Sequence, residues 1–345
     1  MNNKETNKIN ENRKIRFEWL DILKGILIYI VMIDHSYSDT RTAAFYTPFF
    51  LATFFWVGGY TFSMKDSFRN FITSKIKRLV VPLFALGLAR VLILCVISGF
   101  ETLPDRILGL ILQRSFIYDE MWFLSCLFMA ELIMYILLKL FSGIKKETVC
   151  YIVLIIALLL LAVLGYIIMS FRWKLIWEIE TAMIMVIYTG LGYLWRKTGD
   201  KAEIFLKLPV VFGCLALYIA LWLFVPIVSK IHMQEFDNIP LFFLESLLMI
   251  PVLVFVSKKL EGSIIGKIIS FVGRYTLFFF AFGGFGREVF YKVTDMAGLE
   301  RMPWQAFVCA IFIICIMIGP AVLFKKVFPW AMGESKRTIQ DTPKI

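Results

Sequence analysis

The first apolar stretch of the chain, from Trp19 to Ser36, carries an acid, an amine and an imidazole among hydrocarbon side chains. Lys24 and His35 are separated by about 16 Å along an α-helix and by nearly a whole number of turns, so they share a face. Asp21 falls on the same side, about 40° from His35 and about 60° from Lys24. An imidazole is the usual general base near neutral pH, and an ammonium is a point charge for an anionic ligand. Ionisable groups at such depth face protein or an aqueous cavity, which makes the stripe a candidate site. A second reading stays open, in which Lys24 snorkels to one interface above Asp21 while His35 hydrogen-bonds beside Ser36 at the other. Asp34 points about 100° away from His35 and would orient a different surface.

Other polar residues sit where lipid would reject them. Arg90 and Glu131 fall near the middle of two apolar tracts, where they either pair with each other or line a site. Glu245 is similarly placed, and Arg287 with Glu288 ends another tract, as an interfacial anchor or as a substrate contact. Trp122-Phe123-Leu124 opens a tract, either as part of an aromatic girdle or as a surface on which a sugar ring stacks. Gly58-Gly59 fits close helix packing, since no phosphate-binding loop sequence surrounds it. Only two histidines exist, His35 and His232, and the six cysteines are scattered, so no metal site is expected.

These residues need elements that position them, and composition names the kind. The chain has 345 residues, 59% of them hydrophobic, and only 18% are charged. That leaves too little polar surface for a water-soluble protein of this size. Ten apolar tracts, at about 19–37, 45–64, 79–98, 121–139, 149–169, 177–196, 208–228, 239–257, 271–290 and 304–324, each approach the roughly 20 residues that cross hydrocarbon as a helix. No alternation suited to barrel strands is present, so the fold class is an all-α polytopic membrane bundle. Residues 1–18 form an expected cytoplasmic tail, 19–328 the membrane domain and 329–345 a second cytoplasmic tail. The net charge of +11 is spread in short basic runs between the tracts. This pattern speaks for membrane orientation and lipid contact, with both termini in the cytoplasm, and against nucleic acid. Acids such as Asp119, Glu120, Glu235 and Asp237 collect on the expected outer side.

Several of these landmarks together resemble the membrane acyltransferase-3 family, in particular members that acetylate sugars or envelope glycans. They are Leu20-Asp21-Ile22-Leu23-Lys24-Gly25-Ile26 with Asp34-His35-Ser36, then Phe54-Phe55-Trp56-Val57-Gly58-Gly59, then Lys75-Ile76-Lys77-Arg78 running to Pro82, and Trp122-Phe123-Leu124. Gly273-Arg274-Tyr275-Thr276-Leu277 is similar to the family's later landmark, but Gly283 stands where many members have a histidine, and Lys24 stands where arginine is common.

The resemblance implies an O-acetyltransferase of a bacterial cytoplasmic membrane. Its donor would be cytoplasmic acetyl-CoA, and its acceptor an envelope glycan or lipid-linked saccharide, with envelope-biosynthesis proteins as possible partners. In that scheme His35, with Ser36 and Arg90, belongs to the reacting centre. Lys24, Lys75, Lys77 and Arg78 hold the donor, while Asp34, Trp122 and Glu131 meet the acceptor. His35 would act as a general base or, alternatively, carry the acetyl group itself. Two other classes use the same residues: a transporter of a lipid-linked saccharide or small anion, and a nonenzymatic membrane scaffold.

Overall fold

Helices carry most of the described residues, because an apolar tract in lipid must satisfy its backbone within itself. The computed structural model describes residues 17–36, 39–64, 67–113 and 121–334. The tail 1–16, the residues from 335 onward, and Asp119 and Glu120 lie outside the described residues. The first expected span is α1 (Glu18–Asp34), and His35 caps its end.

The second expected span, 45–64, is broken into α2 (Thr40–Tyr46) and α3 (Phe50–Tyr60) by a turn at residues 47–49. Pro48 lies at that break and has no N–H to continue the helical ladder. The third expected span starts earlier than 79. α4 (Phe68–Lys75), a π-helical segment (Ile76–Val80) and α5 (Val81–Ser98) form one helix of 31 residues. Pro82 cannot donate four residues back, and the widened ladder immediately precedes it.

A short helix, α6 (Leu103–Leu112), follows. Next come α7 (Trp122–Leu140), α8 (Glu147–Ser170), α9 (Ile179–Thr198), α10 (Leu208–Phe224) and α11 (Ile239–Leu260). The ninth expected span, 271–290, is also split: α12 (Ile264–Gly273) and α13 (Thr276–Met296) meet at a bend of 82°. The last helix is α14 (Gln305–Val327).

Five of the described helices are long and apolar enough to cross a membrane, or up to seven if each bent pair is one span. The sequence reading of ten spans is thus ahead of what helix length and composition support. Their outward surfaces are apolar, as in α8, where Ile152, Ile156, Leu159, Leu160 and Val163 are all exposed.

α9 is the central element, packed on α3, α7 and α8, and α1 is covered by α11, α12, α13 and α14. The α3–α9 contact depends on Gly59, where a Cβ would lie 1.8 Å from the Thr189 carbonyl oxygen. α14 runs antiparallel to α1. Near its start, the Phe307 carbonyl accepts from the Tyr29 hydroxyl at 3.3 Å, and near its end the Lys325 ammonium lies 4.9 Å from the Tyr275 ring centre.

The bundle therefore has a basic face, where α1 begins and α14 ends, and a histidine face, where α1 ends. After α14, residues 329–332 turn back onto α5, and Lys325 pairs with Glu334 at 2.8 Å. On the histidine face, β1 (Ser229–Lys230) and β2 (Glu235–Phe236) form a small antiparallel hairpin.

Candidate functional site

α1 is held in place by backbone contact. A Cβ on Gly25 would lie 2.2 Å from the Ile269 carbonyl oxygen of α12, and one on Gly273 would lie 1.9 Å from that of Asp21. This approach fixes the height and rotation of the helix that carries Lys24 and His35. At its basic end the Lys24 ammonium contacts the buried Asp21 carboxylate at 2.6 Å, as their spacing requires.

The remaining expected donor residues are divided between two places. Lys75 is turned inward: its ammonium lies 2.7 Å from Glu131 Oε1, beneath the Phe62 and Phe71 rings. Glu131 is thus met by Lys75, with Arg78 also within electrostatic reach, so the cation at Glu131 is not the Arg90 of the sequence reading. Glu131 Oε2 is buried without a hydrogen-bond partner among the described residues. Lys77 instead faces an open cleft of about 590 Å³ shared with Arg69, Asn70, Thr73 and Ser74. Two cations among amide and hydroxyl groups suit a phosphate-bearing ligand.

At the other end, Asp34, His35 and Ser36 are all partly exposed. Arg287 Nη1 donates to the His35 carbonyl oxygen at 2.9 Å, and its Nη2 pairs with Glu288. A cation at the C-terminus of a helix satisfies its orphan carbonyls and complements its dipole. Arg287 is thereby tied to the end of α1. The Ser36 hydroxyl donates to the Met32 carbonyl at 2.7 Å, which commits its proton to the helix. Asp34 is reached by the Tyr46 side chain and by the field of Lys230.

Trp122 is only 8% exposed, so it is no outward-facing girdle residue. Its ring stacks on the imidazole of His232, with centroids 6.1 Å apart and planes at 29°. Trp122, through His232, and Asp34 thus belong to the His35 end, whereas Glu131 lies about 13 Å, or about two and a half turns, down α7 from Trp122. Arg90 lies on α5, partly exposed. Gly283 packs against α1 one turn below His35, and a Cβ there would lie 2.4 Å from Met32 Sδ. A side chain at this position would require the Met32 thioether to move aside.

Several residues that sequence reasoning passed over complete this end. Glu178 and Glu180 are fully buried at the start of α9; Glu178 accepts from Thr181 Oγ1 at 2.9 Å, and Glu180 accepts from the Leu175 N–H at 3.2 Å and from Gln234. Trp177 and Glu178 both adopt left-handed backbone, at φ 60° and 54°, a strain of the kind that collects at functional sites. Burial pushes the Lys174 ammonium down, against the raising fields of Glu178, Glu180 and Glu235. Burial first, then the positive fields of His35, Lys174 and Lys230, pushes the His232 imidazole down to about 4, while Glu235 acts in the opposite sense. Two acids spaced i, i+2 at the head of an apolar tract were the available signal for Glu178 and Glu180. His232 had none beyond its rarity.

The arrangement offers two imidazoles, buried carboxylates and cations at one end of α1, with basic groups toward the other. Such groups can exchange protons with a bound hydroxyl and hold anionic ligands. No curated protein and no solved structure matches the chain. The model of one family, described as an acyltransferase domain, matches residues 17–323, which include both ends of α1, the Lys75–Arg78 segment, Trp122 and the hairpin. The chain belongs to the acyltransferase-3 family and is a membrane acyltransferase.

Proposed function

We propose that the protein is an O-acetyltransferase of a bacterial cytoplasmic membrane, taking acetyl groups from cytoplasmic acetyl-CoA to a hydroxyl of an envelope or extracellular glycan. The observation that carries this reading is α1 itself, one fixed helix with Lys24 and Asp21 at the basic face and His35 at the opposite one. A cytoplasmic basic face agrees with the tendency of Lys and Arg to remain inside. The Arg69–Lys77 cleft supports donor phosphates at that face, and the extended arm of coenzyme A suits the separation along α1.

In the reaction, neutral His35 takes the proton of the acceptor hydroxyl as its oxygen attacks the thioester carbonyl. The new C–O bond forms, the C–S bond breaks, and the proton leaves with the thiolate as free thiol. Arg287 and Asp34 set the position of the His35 backbone and its surroundings. Arg90 would line the reacting centre. Lys24, Lys77 and Arg78 would meet the donor, and Asp34 with Trp122 the acceptor.

The test is transfer of labelled acetyl from acetyl-CoA to an envelope glycan fraction by purified protein in liposomes. His35→Ala is expected to lower transfer by about 100-fold or more while membrane insertion persists. Equal transfer by the variant sinks His35 as the base. Movement of a saccharide across the liposome with no ester formed favours transport instead.

A further inference from the structure

The β1–β2 hairpin is an unusual element for a helical bundle, and its tip is directed inward. Ile231, in the turn between the strands, is 1% exposed, and Ser229 is buried, with its N–H donating to Thr47 Oγ1 at 3.2 Å in the break between α2 and α3. Gln234, at φ 60°, closes the turn and reaches Glu180 at the head of α9. The base of the hairpin is clamped by Asp237, whose carboxylate accepts from the Val228 N–H at 2.8 Å. Two of these ties come from other elements, the α2–α3 break and the head of α9, and the third closes the base of the hairpin itself. The residue they present is His232, stacked on Trp122, within electrostatic range of His35, and two residues from Lys230, whose field acts on Asp34.

We infer that His232 is a second imidazole of the acyl-transfer centre, delivered by the hairpin to contact the acceptor sugar beside His35; this rests on the acyltransfer reading above. Stacking on Trp122 occupies one face of the ring and leaves its edge nitrogens to hydrogen-bond hydroxyl groups. A sugar presents several hydroxyls at once, so two imidazoles at one point can hold one hydroxyl and deprotonate its neighbour. The charged groups facing His232 are His35 from α1, Lys174 from the segment before α9, and Lys230 and Glu235 from the hairpin. Three of these four are cationic when protonated and oppose a second positive charge. His232 therefore stays neutral at neutral pH, as a hydrogen-bonding residue, and leaves the proton to His35.

Two measurements test this. In the liposome assay, with the envelope glycan fraction varied as total sugar, His232→Phe keeps a flat ring for Trp122 and is expected to raise the acceptor KM about tenfold or more, with the acetyl-CoA KM unchanged. That corresponds to about 1.4 kcal/mol, in the range of one hydrogen bond to a neutral partner. His232→Gln, which restores a side-chain amide, is expected to recover part of the loss. An unchanged acceptor KM in His232→Phe overturns the proposal.

The second measurement needs no turnover. Because the chain has only two histidines, ring-labelled histidine gives two NMR signals. His35→Ala is expected to raise the titration midpoint of the remaining His232 signal by about one unit, through loss of a nearby positive charge. An unchanged midpoint separates the two rings and overturns the proposal. A wild-type protein that transfers nothing to the glycan fraction defeats the acyltransfer reading instead, and the NMR result then still decides whether the two imidazoles share one place.

Discussion

At the scale of single residues, the site depends on which charges are satisfied internally and which remain available. Lys24 and Lys75 look equivalent as donor-binding cations in the sequence, but both meet a carboxylate, and only Lys24 keeps a side chain 31% exposed. Lys77 and Arg78 are both exposed, and Lys77 lines the open cleft. His232 carries its own pH signature. Its folded pKa of about 4 lies below the ordinary 6.5, so the unfolded chain binds the proton more readily. The stabilisation is complete above about 6.5 and is lost as pH falls from there toward about 4. Thermal unfolding of the protein in detergent is expected to show this loss across that window. His232→Gln, which cannot titrate, should flatten the profile there, and an identical slope in the variant would refute the assignment.

Elements determine where those residues meet. The π-helical segment Ile76–Val80 joins α4 to α5 and packs on α7, and Lys75, just before it, pairs with the buried Glu131. A buried ion pair loses heavily when one partner is removed, because the other charge is left in a low dielectric. Lys75→Met is therefore expected to destabilise the protein by about 3 kcal/mol or more, and Lys75→Met combined with Glu131→Leu to recover most of that loss. Denaturation in detergent distinguishes the cases: simple addition of the two single-variant losses would show that the residues do not act as a pair. The breaks at residues 47–49 and at Arg274-Tyr275 serve similar ends. The first exposes Thr47 to the hairpin, and the second lets α12 lie against the lower half of α1 while α13 reaches His35.

For the whole molecule, antiparallel α1 and α14 bring the described ends of the chain to one basic face. With that face in the cytoplasm, donor and acceptor approach the bundle from opposite sides of the membrane. Single cysteines placed at Lys77 and at Lys292, in a protein with its native cysteines replaced, report the orientation through an impermeant thiol reagent added to intact cells. Labelling at 292 and protection at 77 are expected. The reverse pattern would invert the donor and acceptor faces and refute the proposed direction of transfer. An open cleft of about 560 Å³ among Glu288, Tyr291, Lys292, Asp295 and Arg301 lies on the part of α13 beyond Arg287, at the histidine face.

Much of this was legible in the sequence for simple reasons. A membrane helix has a regular rise and rotation, so the residue numbers of Asp21, Lys24 and His35 already specify a shared stripe and its length. The shortage of charged residues specifies the class of bundle, and the grouped landmarks specify the family. Spacing within one helix says nothing about what faces it. The partner of Glu131, the bends that divide two expected spans, and the inward turn of the hairpin depend on contacts between residues distant in the chain. His232 illustrates the limit: in sequence it is a lone histidine in a loop, and only the packing of that loop against Trp122, Thr47 and Glu180 brings it to the end of α1.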